Sequence, residues 1–272
     1  MPELPEVETT RAQIERVLAG RRIELEIRDP SLAGERSAEI AGRVKGTRVM
    51  RVLRKGKYLL LELDSGDTVV VHLRMTGRFQ VEDSLEHEPR YVRALFTIEG
   101  CKLLFLVDVR RLGEMFIIDR DEAETCKRLS RLGPDPLSDA FTVDVLRQRL
   151  SSRSSSIKQV LMNQQVIAGV GNIYAQESLH RAGIHPERRA SQLDAGELAR
   201  VHQSLRHVLM DALSCGGSSI NTYRTPSGDV GQFAERFAVY GRAGKSCPRC
   251  GGTIQRRKIG GRGTYFCQTC QT

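Results

Sequence analysis

Two C-x-x-C pairs near the end of the chain leave it less conformational freedom than any other stretch. They are Cys247-Pro248-Arg249-Cys250 and Cys267-Gln268-Thr269-Cys270, sixteen residues apart. Four thiolates at this spacing match a zinc site with no open coordination position, so the metal is structural. Gly251-Gly252 permits a tight turn after the first pair. Residues 253–259 and 264–266 read as the strands of a hairpin, with Gly260-Gly261-Arg262-Gly263 at its tip. A redox pair is the alternative, but it has no need of a second C-x-x-C. Arg262 among glycines suits either a phosphate or plain solvent. Cys101, Cys126 and Cys215 stand alone among apolar or small residues and read as packing. An odd total of seven cysteines and no export signal argue against a disulfide framework.

A chain of 272 residues has room for two domains, each with its own core. A net charge of +9 favours a polyanionic partner, nucleic acid being the commonest, although charge alone does not decide it. No apolar run approaches the ~18 residues of a membrane span, and the start lacks a secretory pattern, so a cytoplasmic protein is expected. The histidines do not cluster and H-E-x-x-H is absent, which disfavours a zinc hydrolase.

Residues 5–19 carry an apolar stripe at helical spacing (Val7, Ile14, Val17, Leu18) and run out at Gly20. The period then becomes that of strands: 23–27, 58–63 and 68–73 around Asp64-Ser65-Gly66-Asp67, then 94–98, 103–107 and 115–118. A β-sandwich or barrel-like domain with flanking helices is expected over 1–132. Gly133-Pro134-Asp135-Pro136 breaks the pattern, and the serine run 151–156 reads as a flexible joint, so 133–156 is taken as a linker. Helices are expected over 143–150, 157–163, 172–182 and 194–214, the last started by Ser191 and Asp194. The helical domain then covers 157–235 with a mobile loop at 216–233, and 236–272 is the zinc hairpin. The fold class is α+β.

Three stretches offer chemistry. Trimming of Met1 leaves Pro2 as a secondary amine, which is less basic than a lysine and able to form an imine. Glu3 and Glu6 lie beside it as acid/base groups, or else merely favour a helix start behind Pro5. Gly169-Val170-Gly171-Asn172-Ile173-Tyr174 opens a helix without a preceding strand, which suits a helix–turn–helix gripping a phosphate backbone, with Lys158 adding charge; a tight helical corner is the plainer reading. Met75 after His72-Leu73-Arg74, and Arg110-Arg111-Leu112, put apolar side chains beside arginines at loop tips, as a protein wedging into a base stack requires.

Together these stretches resemble the bacterial formamidopyrimidine-DNA glycosylase (Fpg) family over essentially the whole chain. The similarity is carried by Pro-Glu-Leu-Pro-Glu-Val-Glu-Thr at the start, Lys-Tyr-Leu-Leu-Leu-Glu-Leu at 57–63, His-Leu-x-Met-Thr-Gly at 72–77, Gly-Val-Gly-Asn-Ile-Tyr-Ala at 169–175 and the zinc finger. The related endonuclease VIII branch begins Met-Pro-Glu-Gly-Pro-Glu, and Leu4 places this chain nearer the first branch. The resemblance implies a β-sandwich followed by a helix-two-turn-helix domain and a zinc hairpin, with damaged double-stranded DNA in the cleft between domains. It implies a bifunctional glycosylase and abasic-site lyase acting on oxidised purines as a monomer at the nucleoid. Pro2 attacks C1′, Glu3 is the acid/base at the sugar, Glu6 supports the amine, and Lys57 contacts a phosphate. Met75, Arg110 and Leu112 fill the vacated space, with Arg110 facing the orphaned cytosine. Lys158, Asn172 and Arg262 hold phosphates, and Thr222, Tyr223 and Arg224 close over the extruded base. Cys247, Cys250, Cys267 and Cys270 bind the zinc. The family's Asp-Pro-Arg-Arg-Phe-Gly is here Asp108-Val109-Arg110-Arg111-Leu112-Gly113, so lesion search or opposite-base choice differs, and a family histidine is replaced near Tyr91. The rivals are an oxidised-pyrimidine glycosylase and a DNA-binding protein without chemistry.

Overall fold

The first apolar stripe becomes helix α1 (Leu4–Leu18) in a computed structural model that describes residues 1–100, 102–119, 122, 125–220 and 223–272. Cys101 and Thr222 therefore lie outside the described residues. Pro5 sits in the first turn of α1, where its missing N–H costs nothing, and Val7, Ile14 and Leu18 are fully buried. Strand β1 (Arg22–Ile27) follows, then helix α2 (Ser37–Val44). Seven strands complete the sheet: β2 (Thr47–Lys55), β3 (Tyr58–Leu63), β4 (Thr68–His72), β5 (Gly77–Glu82), β6 (Val92–Ile98), β7 (Lys102–Asp108) and β8 (Glu114–Ile118). A short helix, α3 (Lys127–Ser130), comes next.

The strand order is β5-β7-β6-β1-β2-β3-β4-β8, with antiparallel neighbours throughout. β1 and β2 are joined only through Arg22 with Arg48 and Ile23 with Thr47. The sheet is therefore two four-stranded halves meeting at a corner, the expected sandwich. One core cluster takes Leu25, Phe96 and Leu104 from one half, Val52, Leu61 and Val71 from the other, and Val7, Ile14 and Leu18 from α1. Each such side chain contributes about 1.5–3 kcal/mol on burial. Among the elements that escape the sequence pattern are β2, β5 and α2. β2 carries Arg48, Arg51, Arg54 and Lys55, and a bulge between Val49 and Arg51 breaks its alternation. β5 opens on a glycine, and α2 is only eight residues long.

The chain divides into two compact units, Met1–Arg131 with Cys215–Gln232, and Leu132–Ser214 with Phe233–Thr272. Residues 133–156, read from sequence as a linker, group with the helices. Gly133 N–H donates to the Gln164 carbonyl at 2.8 Å, Phe141 stacks on His202 at 5.2 Å, and Leu146 and Leu150 of helix α4 (Val143–Leu150) are buried. The serine run ends as a cap: the Ser156 hydroxyl accepts the Gln159 N–H at the start of α5 (Ile157–Leu161). Segment 215–232 groups with the first unit, not with the helices, because its residues bond to α1 and to β5.

In the second unit α6 (Asn172–Ala182) packs on α7 (Ala195–Ser214). Asp194 and Glu197 cap α7 reciprocally at 2.7 and 2.9 Å. The hairpin strands are β9 (Ile254–Ile259) and β10 (Arg262–Cys267). Its tip is shorter than the four residues expected. Gly260 and Gly261 alone turn the chain, with φ of 55° and 77°, which a two-residue turn of this hand demands. Arg262 accordingly stands in the ladder opposite Ile259.

Phe141→Ala should lower the unfolding free energy by about 3–5 kcal/mol, the cost of a large buried ring; chemical denaturation followed by circular dichroism measures it.

Candidate functional site

In the first unit the polar cluster starts with how α1 is capped. Glu3 is the N-cap residue, and its carboxylate accepts the Glu6 N–H while the Glu6 carboxylate accepts the Glu3 N–H at 2.8 Å. Both residues are 2 % exposed. Glu6 also accepts the Ser218 N–H at 2.7 Å and the Ser218 hydroxyl at 2.9 Å. The Tyr223 hydroxyl donates to the Glu6 carbonyl at 3.1 Å. Pro2 is buried immediately before this cap, and Lys57, in the turn between β2 and β3, is buried too. The terminal amine on Met1 is held below its ordinary pKa by burial first; Lys57 and Arg110 push the same way, and Glu3 and Glu6 push back.

Gly217 allows the approach of Ser218 to Glu6. A Cβ there, at φ 85°, would meet Glu6 Oε1 at 2.9 Å. Ser218 and Gly217 were not singled out from sequence; the signal available was the run of small residues Gly216-Gly217-Ser218-Ser219. Tyr223 is buried under the first turn of α1, and burial, with Glu6 next, pushes its phenol pKa up. Arg224 is half-buried and donates to the Tyr223 carbonyl at 2.8 Å. Thr222 lies outside the described residues.

Met75, Arg110 and Leu112 are exposed on the turns after β4 and β7. His72, at the end of β4, is buried edge-on to Tyr58 with ring centres 4.6 Å apart. Its pKa is pushed down to about 3, by burial first and then by Arg74 and Lys57, so it is neutral and its Nδ1 accepts the Arg74 N–H at 3.0 Å.

The second unit gathers Lys158, Asn172 and Arg262 around one end of α6. The ammonium of Lys158, 1 % exposed, donates to the Thr264 hydroxyl at 2.6 Å. The Asn172 amide donates to the Gly263 carbonyl at 3.3 Å, next to exposed Arg262. Asn172 Oδ1 is buried without a protein partner. The N-cap of α6 is Gly171, which has no side chain of its own to cap the helix. Two residues that sequence reading passed over hold this arrangement. Gln176 Oε1 accepts the Tyr265 N–H at 2.6 Å, and buried Glu177 accepts N–H groups of Ala238, Val239 and Tyr240 at 2.8–3.1 Å.

The ligand atoms of Cys247, Cys250, Cys267 and Cys270 all lie within 4.8 Å of one another. The Cys247–Cys270 and Cys250–Cys267 sulfur pairs stand at 3.8 and 3.5 Å. Bonds of about 2.3 Å to a tetrahedral zinc require sulfurs about 3.8 Å apart, so the set fits the ion. The Arg249 N–H points at Cys247 Sγ from 3.4 Å, and His180 Nε2 lies 3.3 Å from the same sulfur, as donors to a ligating thiolate do.

Three family profiles match in chain order: the formamidopyrimidine-DNA glycosylase N-terminal domain over residues 1–115, the formamidopyrimidine-DNA glycosylase H2TH domain over 132–224, and the zinc finger found in FPG and IleRS over 244–272. The formamidopyrimidine-DNA glycosylase of Pelotomaculum thermopropionicum is 39% identical over 100% of this chain and 99% of its own length. That of Thermus thermophilus is 42% identical over 100% and 98%. The crystal structure of the MutM (FPG) protein from Thermus thermophilus superposes with a TM-score of 0.89, at 41% identity over 99% of this chain and 98% of that one. A complex between Lactococcus lactis Fpg and an abasic site containing DNA gives 0.92, at 33% identity over 99% of each chain. With the zinc-finger match and the four clustered sulfurs, the protein carries one structural zinc ion.

Elemental analysis should find one zinc per chain, and Cys250→Ser should abolish it, with loss of the hairpin's ordered amide signals. A second expectation concerns acid stability. His72 has a folded pKa of about 3, below the ~6.5 of an unfolded histidine, so the folded state refuses a proton that the unfolded state takes. Its stabilising contribution is whole above pH ~6.5 and is lost as pH falls toward 3, by up to about 1.4 kcal/mol per pH unit. His72→Asn, measured by urea unfolding across that window, should flatten the decline.

Proposed function

We propose a mechanism from one premise: this chain belongs to the formamidopyrimidine-DNA glycosylase family and is a DNA glycosylase of base excision repair. The observation that carries the mechanism is where the amine end of the chain sits: Pro2 is buried directly before the reciprocal Glu3–Glu6 cap, in the unit that also buries Lys57. With Met1 removed, the amine is that of Pro2. Its lone pair attacks C1′ of the damaged nucleotide, and the base leaves with the electrons of the glycosidic bond and takes up the proton that the amine sheds. Glu3 delivers a proton to the ring oxygen as the sugar opens, leaving an iminium between Pro2 and C1′. That cation acidifies C2′; loss of its proton expels the 3′ phosphate, and a second elimination expels the 5′ phosphate. Water then releases Pro2. Glu6 keeps Glu3 in place through the reciprocal cap, and Lys57 neutralises the phosphate beside the lesion.

The partner is damaged double-stranded DNA, and the base removed is an oxidised purine such as 8-oxoguanine or a formamidopyrimidine. Arg110 faces the orphaned cytosine while Met75 and Leu112 occupy the space the lesion leaves. Lys158, Asn172 and Arg262 hold phosphates, supported by their convergence at the start of α6. Tyr223 and Arg224 belong to the segment that closes over the extruded base, so Tyr223 leaves its place under α1 when substrate binds. The protein works as a monomer in the cytoplasm, at the nucleoid; among the described residues no helix is long and apolar enough to cross a membrane.

Borohydride added during turnover should trap a covalent adduct whose mass maps to Pro2. A processed Pro2 terminus with no adduct on any lesion would leave only a DNA-binding protein. Faster excision of oxidised pyrimidines than of 8-oxoguanine would move the substrate to the other branch. Glu3→Gln should slow base removal by about 10²–10⁴, the range for a lost acid/base group.

A further inference from the structure

The turns bearing Met75 and Arg110 are exposed, yet both are anchored on one buried carboxylate. Asp108 ends β7 and is 1 % exposed. Its Oδ2 accepts the N–H groups of Leu112 and Gly113 at 2.8 and 2.7 Å. Its Oδ1 accepts the Arg110 N–H at 3.2 Å and the Thr76 hydroxyl. The Thr76 oxygen in turn accepts the Arg110 N–H at 3.1 Å. Thr76 follows Met75, so one side chain joins the Met75 turn to that of Arg110 and Leu112. Arg93, also 1 % exposed, balances the charge from 3.4 Å and pairs with Asp29 at 2.6 Å; Asp29 holds Arg111 at 2.7 Å.

Backbone strain converges on the same place. Among the described residues, the non-glycine residues with left-handed φ are Arg74 (51°), Tyr91 (65°) and Arg111 (55°). Arg74 precedes Met75, Arg111 separates Arg110 from Leu112, and the Tyr91 carbonyl accepts the Asp108 N–H at 3.1 Å. Such a conformation costs about 1–3 kcal/mol and persists only where the surroundings over-determine it. Three of them around one carboxylate mark a rigid device.

We propose that Asp108 is a positioning residue that makes the Met75 turn and the Arg110–Leu112 turn move as one probe, so that reading the orphaned base and filling the vacated space are a single event. This rests on the roles given above to Met75, Arg110 and Leu112. With the turns joined, the wedge cannot seat unless Arg110 finds its base, and opposite-base preference follows from stiffness. With the turns separate, the wedge would fill the gap whichever base stood opposite.

Thr76→Val removes the hydroxyl link and leaves the buried Asp108–Arg93 pair untouched; Asp108→Asn removes the charge. Two readouts are needed: hydrogen exchange of the Arg110 and Leu112 amides, and single-turnover excision of 8-oxoguanine opposite cytosine against adenine. In Thr76→Val the Arg110 amide should exchange faster and the cytosine-to-adenine preference should fall about tenfold, the upper worth of one hydrogen bond. Nicking of a preformed abasic strand, which needs no base reading, should barely change. In Asp108→Asn the Leu112 amide should lose protection as well. Unchanged exchange in both variants would mean that Asp108 does not hold the turns. Faster exchange with an unchanged preference would mean that the link does not set base reading. Either result overturns the proposal, and Thr76→Val decides it even where Asp108→Asn does not fold. A wild-type chain that excised nothing would defeat the enzymatic reading instead, and the exchange data, which need no turnover, tell the two failures apart.

Discussion

The carboxylate of Glu6 is the constraint on which the arrangement of the first unit depends. It closes the cap on α1, fixes the backbone of Glu3, and takes both the N–H and the hydroxyl of Ser218. Leaving one such buried partner unsatisfied costs about 1–3 kcal/mol, so the entry of the chain, the start of the helix and segment 215–232 are specified together. Pro2 gains a fixed address from this, because the cap begins one residue after it. The amine is not held by its own contacts so much as by the helix it precedes.

In the second unit the corresponding task falls to two adjacent residues of α6. Gln176 takes the Tyr265 N–H of the hairpin, and Glu177 takes three N–H groups from 238–240. Zinc closes the base of the hairpin, but these bonds decide where the hairpin lies along α6. They bring Gly263 to Asn172 and Thr264 to Lys158, so residues far apart in sequence share one end of α6. The burial of Glu177 raises its pKa, and three N–H donors oppose that shift.

Much of the fold could be read from periodicity. The stripe of α1, the runs of β3 and β4 and the bounds of α4 and α6 follow from side chains alternating in and out of a core at fixed spacing. β2 could not be read so, because four cations and a bulge hide the two valines that face the core. The hairpin tip was set too long because the pattern placed Arg262 with its glycine neighbours, whereas the backbone needs only two residues of positive φ. The serine run at 151–156 looked flexible by composition; in the fold its last hydroxyl is a helix cap.

The sequence by itself determined the chemical inventory: an amine flanked by carboxylates, four thiolates spaced for one ion, and a glycine turn opening a helix. These are local facts, carried by residue type and by separations of a few positions. Tertiary structure alone decided that Ser218 answers Glu6 across 212 positions and that Lys158 meets Thr264 across 106. It also decided that Asp108 gathers two turns on one carboxylate. Contacts of that range are fixed by how the core and the sheet close the chain on itself, and no spacing between neighbours encodes them.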